Sequence, residues 1–122
     1  MKKVVIVAGA HGAGKSLTIN CHLKPLLGIG YYAHKFTLSG KNGYVFSQSL
    51  EESGLDVEAI RKYFHYDLLV FAARPETESG SKLNLIRDMF QKASFAVNVV
   101  SIQEESEAPE KAKEVFSLLN SN

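Results

Sequence analysis

The chain has 122 residues, of which 45% are hydrophobic and 22% charged, and its formal net charge at pH 7 is +1. This length and composition predict one globular domain over residues 1–122. The balanced charge implies no nucleic-acid partner, and no apolar stretch approaches the roughly 20 residues that a membrane span needs. The single cysteine, Cys21, allows no internal disulfide, so we expect a cytoplasmic protein.

The first predicted element is a buried strand over residues 4–8, where five apolar residues follow one another. A loop of the pattern G-x-x-x-x-G-K-[ST] comes next, and then a helix over residues 15–24 that Pro25 ends. In such a loop the backbone N–H groups surround phosphate, the lysine contacts the β and γ phosphates, and the hydroxyl binds Mg²⁺. We therefore expect a nucleoside triphosphate to contact Gly9, Ala10, His11, Gly12, Ala13, Gly14, Lys15, Ser16 and Leu17, with Ser16 also a metal ligand.

Two other interpretations of this segment are weaker. A dinucleotide-binding loop would need the pattern G-x-G-x-x-G, which Gly9, Gly12 and Gly14 do not form. A secretory signal would use the basic amino terminus and apolar residues 4–10, but its cleavage would remove half of the loop. We therefore favour the phosphate-binding loop.

A β-hairpin is the next predicted element, between residues 36–38 and 44–46. The residues that separate these apolar runs contain the turn-forming pair Asn42-Gly43. Lys41, at the tip, is a candidate flap over a nucleotide, against the commoner alternative of a solvated tip. A capping box over residues 49–52 then introduces a helix.

The second half of the chain alternates strands with helices. Strands are predicted over residues 67–73 and 96–102, and amphipathic helices over residues 83–93 and 109–119. This order predicts an α/β fold of three layers, α/β/α, with a mostly parallel sheet of three core strands plus the hairpin. Because ligands bind beyond the carboxyl ends of parallel strands, the loops after Ala8, Ala73 and Ile102 should surround one site.

With its glycine loop between a strand and a helix, and with α/β alternation around it, the chain resembles the P-loop nucleoside triphosphatase and kinase superfamily. The motif covers eight residues, and the resemblance in fold class extends over most of the chain. The resemblance implies ATP or GTP with Mg²⁺ as cofactors. It assigns no subfamily.

The chain departs from the superfamily at its acidic metal residue. Superfamily members usually carry an aspartate at the carboxyl end of a neighbouring strand, whereas Asp67 begins its strand and so lies about 20 Å from that end. We expect Glu76 to be the acidic residue near Mg²⁺, with Glu104 or Glu105 as alternatives. The simpler interpretation of each is a solvated charge on a loop.

Arg74 is the second candidate catalytic residue, beside Lys15. It follows the strand that ends at Ala73, where its guanidinium could bind a phosphate or offset charge in the transition state. The alternative is a loop salt bridge with Glu76 or Glu78.

Phosphoryl transfer needs positioning and charge neutralisation more than covalent chemistry. We therefore expect an enzyme, either a kinase-like phosphotransferase or a slow hydrolase, whose partners are a nucleoside triphosphate and a small-molecule acceptor or a protein. The sequence names no catalytic base. The alternative is a non-catalytic, nucleotide-gated interaction module, and a third reading, a scaffold that has lost nucleotide binding, is weakened by the intact Lys15 and Ser16.

Overall fold

A five-stranded sheet forms the centre of the computed structural model, which describes residues 1–121. Its strands are β1 Lys3–Ala8, β2 Lys35–Leu38, β3 Lys41–Ser49, β4 Leu68–Ala73 and β5 Ala96–Ser101. Helix α1 has three consecutive segments, Lys15–Leu17, the π-helical Thr18–Leu23 and Lys24–Leu26. The remaining helices are α2 Leu50–Ser53, α3 Val57–Ile60 with the 3₁₀ turn Arg61–Tyr63, α4 Leu83–Lys92, and α5 Ala108–Asn120, which follows the 3₁₀ turn Glu105–Glu107.

The strand order is β2-β3-β4-β1-β5, so β1 lies between β4 and β5 and runs parallel to both. Strand β3 is parallel to β4, and only β2, among the strands of residues 1–121, is antiparallel to its neighbour. The predicted α/β class and mostly parallel sheet are confirmed. The prediction of three parallel strands is wrong, because β3, one arm of the hairpin, is nine residues long and pairs with β4 as a fourth parallel strand.

Helices cover both faces of the sheet. Every residue of β1 and β4 is buried, which explains their unbroken apolar runs, since a strand covered on both sides has no solvent face. Residues Val5 and Val7 pack in one core cluster with α1 and α5, whereas Val4 and Ile6 pack in a second cluster with α2, α3 and α4. No helix within residues 1–121 is long and apolar enough to cross a membrane.

The hairpin is confirmed, but its turn lies earlier than predicted. Ser39 and Gly40 form the turn with φ angles of 52° and 77°, so that Lys41 pairs with Leu38. Asn42 and Gly43 are inside β3 instead. Two consecutive positive φ angles suit the right-handed twist of the two strands, which is the physical reason for this choice of turn.

Helix α1 does not end before Pro25 as predicted. The helix continues to Leu26, and Gly28 follows with a φ of 74°. Pro25 stands near the start of the segment Lys24–Leu26, directly after the wider π-helical stretch, in which Lys24 N–H donates to the carbonyl of Ile19 five residues back. A proline inside a helix removes one backbone hydrogen bond, and here Pro25 lies in the last turn, one residue before α1 ends at Leu26.

Candidate functional site

The glycine loop of residues 9–16 begins between the carboxyl ends of β4 and β5. Gly9 N–H donates to the carbonyl oxygen of Ala73 at 3.1 Å, and Ile102 N–H donates to that of Ala8 at 2.8 Å. A Cβ on Gly9 would lie only 2.7 Å from the carbonyl oxygen of Ile102. The first glycine of the motif is therefore required by its close approach to the neighbouring strand end.

Two further glycines of the motif have backbone conformations that other residues rarely adopt. Gly12 has a φ of 80° and Gly14 a φ of 104°. Between them, Ala13 N–H donates to the carbonyl oxygen of Ala10 at 3.0 Å and closes a tight turn. The glycine spacing of the motif thus matches what this backbone needs.

Lys15 folds back over the loop. It is 8% exposed, and its Nζ donates to the carbonyl oxygens of Gly9 at 2.5 Å and Ala10 at 3.4 Å. Burial lowers the pKa of the Lys15 ammonium from its ordinary value of 10.5. The nearby carboxylates of α2 and of Glu78 oppose this shift of the pKa, whereas Arg74 adds to it.

Ser16 is exposed at the start of α1, and its hydroxyl is held by a second residue of the same helix. The Nδ2 group of Asn20 donates to Ser16 Oγ at 3.1 Å. Asn20 is 8% exposed, and its Oδ1 has no hydrogen-bond partner within residues 1–121. A hydroxyl that accepts this bond still has a lone pair for a cation. Sequence reasoning missed Asn20, although its spacing of four from Ser16 is the spacing of neighbours on a helix.

A cleft of about 340 Å³ opens over the loop. One wall consists of Ala10, His11, Gly12, Gly14, Lys15, Ser16 and Leu17, which are seven of the nine residues predicted to contact nucleotide. The other two, Gly9 and Ala13, are buried beneath it. The opposite wall consists of Ser47, Gln48 and Ser49 from the end of β3 and Glu52 from α2, and Glu105 lines the cleft after β5. Strand β3 therefore contributes to the site, which the sequence does not predict, whereas the lining within residues 1–121 includes no residue of the predicted loop after Ala73.

His11 and Glu52 connect the two walls. His11 Nδ1 lies 3.2 Å from Glu52 Oε1, and the two side chains are 83% and 34% exposed. The hydrogen bond from His11 is the main reason why the pKa of the Glu52 carboxyl lies below its ordinary value of 4.5, and Lys15 and Arg74 also lower it. Glu52 is thus the acidic residue that faces the loop across the cleft. The sequence pattern had placed it in a capping box.

That capping box is not formed, although α2 begins where it predicts. The Ser49 side chain makes no capping hydrogen bond to α2, and Glu52 bonds to His11. Ser49 is 3% exposed, and its Oγ has no hydrogen-bond partner in the described part of the chain. An unpartnered hydroxyl is costly in a buried position, so the cleft wall holds a polar group that a ligand could satisfy.

Arg74 follows β4, as predicted, but it is not among the residues that line the cleft. Its Nη1 lies 3.6 Å from Glu78 Oε1, which is the loop salt bridge considered as the alternative. Its Nε is buried and has no hydrogen-bond partner within residues 1–121. The guanidinium is close enough to Lys15 and Glu52 to affect the pKa of both.

The structure does not bring Glu76 to the cleft. Its Oε2 lies 3.8 Å from Arg87 Nη1 of α4, and it is absent from the cleft lining. Glu104 forms a capping box with Glu107 at the 3₁₀ turn after β5, which leaves Glu105 as the acidic residue on that side of the cleft.

Two residues lie at the opposite edge of the sheet from the loop. Asp67 immediately precedes β4, at its amino end, where the sequence places it. Lys41 is the first residue of β3 and is near enough to Lys3, at the amino end of β1, to lower its pKa, although burial is the larger cause of that shift. The suggestion that Lys41 forms a flap over the nucleotide is therefore wrong, because the parallel course of β3 carries it away from the loop.

Comparisons of the chain with protein-family models, with curated proteins and with solved structures found no match. No function is therefore carried over from another protein. What the cleft can bind has to be inferred from its own backbone, its side chains and their charges.

Proposed function

We propose that the protein binds the magnesium complex of ATP or GTP through residues 9–17 and transfers the γ-phosphoryl group. The observation that carries the proposal is the loop itself. Gly12 and Gly14 have left-handed backbone conformations, and Lys15 and Ser16 line a cleft at the carboxyl end of a central parallel strand. This is the position at which ligands bind to open α/β sheets.

The dimensions and the polar groups of the cleft suit a phosphate chain. Its volume of about 340 Å³ falls within the range of small-molecule sites, about 300–1,000 Å³. Lys15 Nζ donates to two loop carbonyls. A phosphate in the loop would replace these bonds to neutral carbonyls with hydrogen bonds between two ionised groups. The buried ammonium would then have an anionic partner.

Ser16 Oγ is the side-chain atom that would hold Mg²⁺. Residues 1–121 contain no group of three or more His, Cys, Asp and Glu side chains that could hold a metal ion. Mg²⁺ keeps several waters and commonly binds through one or two protein oxygens together with phosphate oxygens, so a single hydroxyl fits it. When bound, Mg²⁺ would offset the charge on the phosphates, which matters here because carboxylates outnumber cations around Lys15.

Thermal melting with ATP and GTP, each with and without Mg²⁺, tests the binding. At a ligand concentration a hundredfold above Kd, mass action adds about 2.7 kcal/mol to the free energy of unfolding, which raises the Tm by about 10 °C for a domain of this size. Lys15→Met should abolish most of this shift. Lys113→Met removes the same charge from an exposed position on α5 and should leave the shift intact. The proposal fails if neither nucleotide at millimolar concentration moves the Tm.

Release of inorganic phosphate and transfer to an added acceptor test the reaction. We expect turnover that requires Mg²⁺ and is lost in Lys15→Met. Binding without turnover would instead favour the nucleotide-gated interaction module, which needs the same loop but no chemistry.

A further inference from the structure

We propose that His11 and Glu52 form a general-base pair that activates a hydroxyl group, either water or an alcohol, for attack on the γ-phosphate. The inference rests on the proposed function and supplies the base that the sequence alone does not identify. Its two residues belong to opposite walls of one cleft and lie 3.2 Å apart.

The carboxylate determines which imidazole nitrogen is the base. An ionised carboxylate only accepts hydrogen bonds, so His11 Nδ1 must carry the proton that bonds to Glu52 Oε1. His11 Nε2 of the neutral ring then has a free lone pair. The lowered pKa of Glu52 keeps this carboxylate ionised at neutral pH.

The charges around the pair are mixed. Lys15 and Arg74 are the cations close enough to act on Glu52, and Glu105 lines the same cleft. Glu51 and Glu78 act on Lys15 from the same side. Glu52 is the carboxylate in direct contact with His11, so it orients the ring and would pair with the imidazolium that forms when the ring takes a proton.

Ser49 is the independent observation that points to an acceptor. Its hydroxyl is buried on the wall that carries Glu52 and lacks a hydrogen-bond partner in the described chain. Because this oxygen is buried, the Ser49 side chain would first turn toward the cleft; an acceptor hydroxyl there could then accept its hydrogen bond and donate its own proton to His11 Nε2. Such a ligand would satisfy the buried group.

The reaction balances without a further reactant. The acceptor oxygen forms a bond to the γ-phosphorus while the bond from that phosphorus to the bridging oxygen breaks, and the bonding electron pair leaves on the nucleoside diphosphate. The acceptor proton passes to His11 Nε2, and the imidazolium keeps its bond to Glu52. Water as acceptor gives inorganic phosphate, and an alcohol gives a phosphate monoester.

His11→Asn is the main test, because the Asn amide can still donate to Glu52 but cannot take a proton. His11 would contact the nucleotide through its backbone N–H, which this substitution keeps, so the affinity for the magnesium nucleotide should stay within about threefold of wild type. We expect turnover to fall about 100- to 10,000-fold, the usual contribution of a general base. His65→Asn, the same change at an exposed histidine remote from the cleft, should leave turnover unchanged. Phosphate release measures the water reaction, and added glycerol and ribose test alcohols.

Two further variants separate a base from a structural contact. Glu52→Gln keeps a hydrogen-bond acceptor for His11 Nδ1 but removes the negative charge, so turnover should fall at least about tenfold while the affinity for the magnesium nucleotide stays close to that of wild type. In His11→Ala, added imidazole should restore part of the turnover. Normal turnover in His11→Asn or in Glu52→Gln would overturn the assignment, and so would a wild-type protein that binds nucleotide but turns over no probe. If the wild type binds no nucleotide, the proposed function itself has failed.

Discussion

Substitution of Gly9 by alanine should destabilise the protein because of a steric clash that the structure locates. The new Cβ would lie 2.7 Å from the carbonyl oxygen of Ile102 and 3.0 Å from its Cγ2. The Ile102 backbone cannot move away freely, because its N–H donates a hydrogen bond to the carbonyl oxygen of Ala8 at 2.8 Å. Overpacking of this kind costs about 1–3 kcal/mol.

Two glycines elsewhere provide matched controls, because every Gly→Ala change restricts the unfolded chain equally. At Gly30 a Cβ meets no atom within 4 Å and the φ is not positive, so alanine should stabilise by about 0.4–1 kcal/mol. Gly12 is equally open but has a φ of 80°, so its variant isolates backbone strain of about 1–2 kcal/mol.

Urea unfolding followed by circular dichroism measures the three free energies. We expect the free energy of unfolding of Gly30→Ala to exceed that of wild type, and that of Gly9→Ala to be at least about 1 kcal/mol lower than that of wild type. An unchanged slope with urea would confirm that the unfolded states are alike. A Gly9→Ala variant as stable as Gly30→Ala would refute the reasoning.

Two more predictions concern residues outside the cleft. Lys24 is 1% exposed, its Nζ donates to Tyr31 O at 2.6 Å, and burial lowers its pKa. The Lys24 ammonium therefore keeps its proton to higher pH in the unfolded chain than in the folded one, so the free energy of unfolding should rise as pH approaches 10.5. The rise should be less steep in Lys24→Met. Parallel curves of unfolding free energy against pH for the two proteins would contradict this. Ser39 has a φ of 52° in a turn that favours Asn-Gly, so Ser39→Asn should raise the free energy of unfolding by about 0.5 kcal/mol. An unchanged or lower Tm would contradict this.

The central strands were predictable because their pattern is local. Strands β1 and β4 are buried on both faces, so each is an unbroken apolar run in the sequence. The end of β3 was not predictable in this way. Its last residues, Ser47, Gln48 and Ser49, are polar because they line the cleft, and they show neither the alternation nor the apolar run of a strand.

The same distinction separates the loop from its opposite wall. The loop of residues 9–16 is one contiguous motif, so the sequence alone predicts it, and the positive φ angles of Gly12 and Gly14 agree with that prediction. The contact between His11 and Glu52 joins residues 41 positions apart and depends on where α2 packs. The position of Glu76 after a strand predicts a place near the metal, but its partner is Arg87 on α4, and no local pattern in the sequence shows that pairing.

The two glutamates of α2, Glu51 and Glu52, make different contacts, and this difference makes the proposed general-base pair of His11 and Glu52 testable. Glu51 accepts hydrogen bonds from the backbone N–H groups of Arg74 at 3.0 Å and Lys82 at 2.7 Å, so it fastens α2 to the segment between β4 and α4. Leu50, whose side chain is fully buried, also holds α2 against the core. Glu52 contributes to neither of these contacts and bonds to His11. Because solvent-accessible pairs such as this one add about 0–1 kcal/mol to stability, Glu52→Gln should leave the cleft wall in place, and a loss of turnover can be ascribed to the lost charge.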